Sequence, residues 1–206
     1  MENIRTSDSP YRFARLKELI NEKLPIDVTK AASILRNHKG LQNTDLGLAT
    51  EMAINQFIAH HSVIFQPEKK LMWVSTSPWQ CGKYVAYDLN RIFSDSIDFN
   101  HEIYTGDLTL PADSFLQQQE YQQLMAYKRL APVLRKQIKK KERLDEQTLH
   151  AFQHANPHFF YVYELLGDYY HATGQQDKAL RNWKKALLLP IPKRSESERI
   201  EHKINN

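Results

Sequence analysis

Strand-forming residues are confined to one short part of this chain, and that confinement limits the fold more than any other feature. Ser62-Val-Ile-Phe-Gln66 and Leu71-Met-Trp-Val-Ser-Thr76 are rich in β-branched and aromatic residues, and Pro67-Glu-Lys-Lys70 between them reads as a turn. Together they predict a β-hairpin. Each strand carries consecutive apolar residues without strict alternation, which predicts a sheet covered on both faces. A two-stranded hairpin is marginal by itself, and Lys83-Tyr-Val-Ala-Tyr-Asp88 is the one clear further strand. The expected class is therefore α+β, with a short antiparallel sheet among helices. The shortage of strands suggests that part of the sheet lies elsewhere, and that an apolar hairpin left bare will self-associate or bind a partner.

Helical periodicity flanks this stretch. Ser9 and Pro10 open a first helix in which Tyr11, Leu16, Leu19 and Ile20 share a face as far as Lys23, before Pro25 ends it. Asp27 is placed to cap a second helix through Val28, Ala31, Ala32, Ile34 and Leu35, with Gly40 as its stop. Residues 94–112 form a polar connection with Ile103-Tyr104 as a small anchor. Asp113 then caps a long helical segment carrying Phe115, Leu116, Tyr121, Leu124, Tyr127 and Leu130, which Pro132 should kink or break. A second piece runs to about Arg143, and a short helix covers Asp145 to Ala155, closed by Asn156-Pro157.

Bulk properties exclude more than they assign. The chain has 206 residues, is 41% hydrophobic and 25% charged, and has a net charge of +4. That is ordinary for a globular protein, and too small an excess to imply nucleic acid without a focused patch. Lys128 to Arg143 holds eight basic residues and one acidic residue. Leu130, Val133, Leu134 and Ile138 mark a buried side there, no aromatic residues interleave for base stacking, and the run reads as the solvated face of a helix. One cysteine, Cys81, allows neither an intrachain disulfide nor a cysteine-based zinc site. The nine histidines are scattered without an HExxH motif, so no metal and no cofactor is expected. No apolar run approaches the roughly 20 residues that span a bilayer, and the polar start has no signal-peptide core. If complete, the chain is expected to be cytoplasmic; if a fragment of an exported precursor, its compartment is open.

The most specific pattern lies near the end. Tyr163, Leu166-Gly167, Tyr170, a turn at Gly174, then Ala179, Trp183 and Ala186 follow one another at set intervals, with prolines at 190 and 192. This resembles a tetratricopeptide repeat, a helix-turn-helix of about 34 residues; the proline comes one residue early. Small residues at Gly167 and Ala179 let two helices approach while Tyr163, Tyr170 and Trp183 fill the flanking space. A single hairpin, at about 157–192, does not make a free solenoid, which needs about three units. It is expected to pack on the helices of residues 113–155.

The middle of the chain also resembles a family. His60-His-Ser-Val-Ile-Phe-Gln-Pro67, Lys70-Leu-Met-Trp-Val-Ser75, Ser77-Pro-Trp-Gln80 and Tyr84-Val-Ala-Tyr-Asp-Leu89 look like the C-terminal part of the acyl-coenzyme A:6-aminopenicillanic acid acyltransferases. These are N-terminal-nucleophile hydrolases akin to the choloylglycine hydrolases. The resemblance implies a partial αββα segment over residues 1–93, a linker over 94–112 and a helical tail over 113–206. It also implies autoproteolysis that frees an N-terminal Cys, Ser or Thr whose α-amino group is the base, with an oxyanion hole. That nucleophile belongs to an upstream half. Cys81 is internal and has no adjacent free amine. The expectation is a fragment or degenerate member, inactive alone, with the upstream half as partner. The alternative is a non-catalytic module whose helical tail binds a protein.

Candidate pocket-lining residues are His60, His61, Trp79 and Cys81. Adjacent strand residues point to opposite faces, so at most one of the two histidines can enter a given site. Nothing in the spacing supports a Cys81–histidine dyad. No catalytic residue is assigned, and whether the chain belongs to an active enzyme is left open at this point.

Overall fold

A computed structural model describes residues 8–94 and 102–206; residues 95–101 of the expected connection, and the polar start at 1–7, lie outside it. Eight α-helices and one three-stranded antiparallel sheet are present among the described residues, so the chain is α+β.

The first helix, α1 (Ser9–Lys23), begins one residue earlier than the sequence suggests. Asp8 holds the cap position, and Ser9 and Pro10 fall in the first turn. Its Arg15 is fully buried and bonds Glu18 at 2.8 Å and Asn37 at 3.3 Å. Helix α2 (Val28–Leu35) is capped by Asp27, whose carboxylate accepts from the Lys30 amide. It ends well before Gly40. That glycine instead lies where a Cβ would meet the Tyr11 hydroxyl at 2.5 Å and Leu46 at 2.9 Å; close packing, not helix termination, explains it.

Strands β1 (Val63–Gln66), β2 (Leu71–Ser75) and β3 (Tyr84–Asp88) form the sheet in that order. Ile64, Trp73 and Ala86 stand in register and pack on Val28, Ala32 and Leu35 of α2. The opposite face carries two apolar rows, Val63–Val74–Val85 and Phe65–Met72–Tyr87. The expected double cover fails there: Phe65 is 62% exposed and Val63 36%. With three strands and one helix layer, one face is packed while the other stays half wet.

The sheet's edges also differ. Leu110 and Tyr84 exchange backbone bonds of 2.9 and 3.1 Å, and the Thr105 amide donates to Ala86, which closes the outer edge of β3. Trp73 Nε1 donates to the Leu108 carbonyl at 2.8 Å. This part of the connection is thus held by Leu108, Thr105 and Leu110, whereas Ile103 and Tyr104, the expected anchor, are partly exposed. The outer edge of β1 has no strand partner among the described residues. A short helix, α3 (Leu89–Ile92), follows β3 with Asp88 as its cap.

Asp113 caps a 3-10 turn, not the long helix directly. Helix α4 (Gln119–Lys140) then runs through Pro132 without a break. Proline deprives the Lys128 carbonyl of its intrahelical partner, but Leu124, Tyr127, Ala131 and Leu134 bury the same face on both sides and hold the helix together. Helices α5 (Glu146–Ala155), α6 (Phe160–Ala172), α7 (Gln176–Leu187) and α8 (Arg194–Asn205) complete the tail around one large core. Gly174, at φ +77°, makes the turn between α6 and α7, a conformation that costs glycine nothing. Asn156 joins tail to body: its side chain accepts from the Leu48 amide at 2.8 Å and donates to the Leu48 carbonyl at 2.7 Å. No described helix is long and apolar enough to cross a membrane.

Candidate functional site

Two places hold side chains with chemistry: the loop after β2 and the open end of the helical tail. The loop, residues 76–82, is held from several sides. Arg36 Nη2 donates to the carbonyls of Gly82 at 2.6 Å and Pro111 at 2.9 Å, and Gln80 Nε2 donates to the Leu35 carbonyl at 2.7 Å. Trp79 and Gln80 both take left-handed backbone, at φ 43° and 60°, as does Phe57 at 53°. Such conformations cost non-glycine residues about 1–2 kcal/mol each, and these anchors offset that cost.

Cys81 lies at the base of this loop and is 1% exposed. Asn55 Nδ2 donates to its sulfur at 3.3 Å. Burial pushes the thiol up to about 11, with Asn55 and Arg36 opposing the rise, so at neutral pH it is a protonated, neutral group. Trp79 is half-buried, edge-on to Phe57 at 6.4 Å, and Lys128 Nζ stands 4.3 Å from its ring centroid. Lys128 also donates to the Phe57 carbonyl at 3.0 Å, and burial lowers its pKa. His38 is wedged between Phe57 and Phe115, at 5.7 and 4.9 Å, where burial, with Lys39 adding to it, favours the neutral ring. His60 and His61 precede β1, are both exposed, and share no hydrogen bond or ring contact with Trp79 or Cys81 among the described residues. Nucleophilic catalysis needs an activated nucleophile within reach of a base; the Cys81 sulfur is not ionised, it accepts from the Asn55 amide, and the nearby Asp113 carboxylate raises its pKa further.

The tail residues named from the sequence do come together. Tyr163, Leu166, Ala179, Trp183 and Ala186 are buried around Gly167, with Tyr170 packed at the margin. The neighbour that makes Gly167 necessary is Trp183: a Cβ there would stand 2.3 Å from Cδ1 and 2.4 Å from Nε1. Trp183 Nε1 donates to Asp168 Oδ1 at 2.9 Å.

Beside this contact the ends of α4, α6 and α8 enclose a groove of about 590 Å³ with Trp183, Ile138 and Ala172 as its apolar surface. His171, His202, Arg199, Lys203 and Asp168 rim it. Beneath the rim Glu164 is buried. Arg199 grips it through Nε and Nη2 at 2.8 Å each, and Lys203 Nζ bonds both Glu164 at 2.7 Å and Asp168 at 2.8 Å. Burial opposes ionisation of Glu164, but these bonds outweigh it and hold the carboxyl below its ordinary range.

Sequence reasoning missed α8 and this ion cluster, because α8 offers just two apolar residues, Ile200 and Ile204, as a periodic signal. It also missed Asn55, Lys128 and His38, which meet Trp79 and Cys81 through folding alone. Among the described residues no group of three or more His, Cys, Asp or Glu side chains is placed to hold a metal ion. Comparison of the chain with protein-family models, with curated proteins and with solved structures finds no match.

Proposed function

We propose that this chain is a non-catalytic interaction module whose helical tail takes a protein segment in the groove beside Trp183. The observation that carries this reading is the groove itself, an apolar surface of Trp183, Ile138 and Ala172 inside a polar rim, an arrangement suited to an apolar anchor with satisfied polar edges. The tetratricopeptide-like reading of α6 and α7 supports it, since the close Gly167–Trp183 contact is what small and aromatic residues at those positions supply. The state of Cys81 supports the non-catalytic half of the proposal.

The test is selection of binding peptides from a random library against the whole chain, followed by titration of Ile138→Glu and of the parent. Ile138 is half-buried at the groove and also packs against the tail's core, so the melting temperature of the variant is measured beside its affinity, to separate a blocked site from a loosened tail. Peptides that bind the parent should lose affinity at least about tenfold, or about 1.4 kcal/mol. Selected peptides that bind both proteins equally would place the binding surface elsewhere.

A second reading is favoured by a different observation. The open edge of β1 and the partly bare rows Val63–Val74–Val85 and Phe65–Met72–Tyr87 are what a sheet would present if another polypeptide continued it. That supports kinship with an N-terminal-nucleophile amide hydrolase or acyltransferase whose catalytic half binds along β1. Both readings make the chain inactive alone.

A further inference from the structure

Helix α5 carries a feature that neither reading uses. His150 and His154 lie one turn apart and are both exposed, with ring centroids 3.8 Å apart and planes inclined at 29°. Residues four apart on a helix project from the same face, and this is the histidine spacing by which helices present two imidazoles to one metal ion. The ring of His154 is oriented by its own helix: Nδ1 contacts the His150 carbonyl at 3.0 Å. A carbonyl oxygen only accepts, so Nδ1 carries the proton, and in the neutral ring Nε2 is the nitrogen left to ligate. A bond of this kind fixes tautomer and ring orientation in metal-binding histidines. The helix beneath is rigid. Asp145 caps it through the Thr148 amide at 2.7 Å, and Leu149, Phe152 and Ala155 bury its opposite side. Glu146, one turn earlier, is engaged by Lys178 at 3.3 Å and adds no ligand.

We propose that His150 and His154 form a two-imidazole site for a late first-row divalent ion, with solvent filling the remaining positions. Imidazole nitrogen suits Cu(II), Ni(II) and Zn(II), and Cu(II) binds such donors most tightly. The site departs from the expectation, drawn from scattered histidines, that the chain holds no metal. Two ligands leave coordination positions open, as a surface ion-binding site requires and a closed structural centre does not.

The whole chain is titrated with Cu(II) in a buffer without metal ligands, followed by calorimetry and by the electron paramagnetic resonance of bound copper. One ion should bind per chain with nitrogen coupling in its spectrum. Affinity should fall at least about tenfold in His150→Ala and in His154→Ala, and should be unchanged in the double variant His60→Ala, His61→Ala, which removes the chain's other adjacent histidines. Both α5 rings are exposed, so the variants should melt as the parent does without metal; with Cu(II) present, a rise in melting temperature should appear in the parent and not in them. Equal affinity in parent and α5 variants, loss of binding in the His60, His61 variant instead, or no binding at micromolar copper overturns the proposal.

Discussion

Gly167 and Trp183 touch so closely that a single methyl group on the glycine would stand 2.3 Å from the indole Cδ1 and 2.8 Å from Cγ. The indole is held in place by its bond to Asp168 at 2.9 Å and has little freedom to retreat. Gly167→Ala should therefore lower stability by about 1–3 kcal/mol through overpacking. In a Trp183→Ala background the sign should reverse, because alanine exceeds glycine in helix propensity by about 1 kcal/mol. Chemical denaturation of the four proteins in this cycle measures the coupling, and purely additive effects would show that the contact has been misjudged.

Glu164 ties α8 to α6, and its carboxyl is held below its ordinary value of 4.5. A group with a depressed folded pKa contributes stability that is fully present above its unfolded value and is lost as pH falls through its folded value. Glu164→Gln should therefore cost about 1–3 kcal/mol at neutral pH, and the gap to the parent should close on acidification below about pH 4. Arg199→Ala should be the costlier change at neutral pH, since it strips a buried carboxylate of two bonds, whereas Glu164→Gln frees Arg199, which reaches solvent, and leaves Lys203 on Asp168. Urea midpoints across pH test both statements; a gap that stays constant with pH would remove Glu164 from the account.

Cys81 should resist thiol reagents. With the sulfur buried and its pKa raised to about 11, the thiolate that reacts is scarce. Labelling of the native chain at pH 7 should be far slower than in denaturant, where an ordinary thiol pKa of about 8.5 applies. The same chain should not turn over penicillins, conjugated bile salts or N-acyl amino acids. Turnover that vanished in Cys81→Ala would show that this cysteine is a nucleophile after all.

The half-wet sheet face should be adhesive. Val63 and Phe65 sit on β1, whose outer edge has no strand partner among the described residues, with their side chains exposed, and such edges template strand addition. The chain should bind a hydrophobic dye or self-associate in light scattering, and Phe65→Lys should reduce either effect without lowering the melting temperature. A monodisperse parent with weak dye binding would favour a self-contained α+β unit over a sheet completed by another polypeptide.

Local signals made the element list legible. Asp27 sits where a side-chain oxygen caps a helix, the hairpin followed from β-branched and aromatic runs around Pro67, and the spacing from Tyr163 to Ala186 marked α6 and α7. These readings held because they depend on neighbours within one or two turns. Pro132 does not break its helix for the complementary reason: its local cost is real, but tertiary burial on both sides outweighed it. The coverage of the sheet, the burial of Cys81 under Asn55, the placement of Lys128 over Trp79 and the gripping of Glu164 by α8 all join residues distant in the chain. Periodicity reports which face of an element is apolar, but not which other element will cover it. Only the packed tertiary structure decided which apolar faces were covered, which charges were paired, and that the small residue at 167 was there for an indole sixteen positions away.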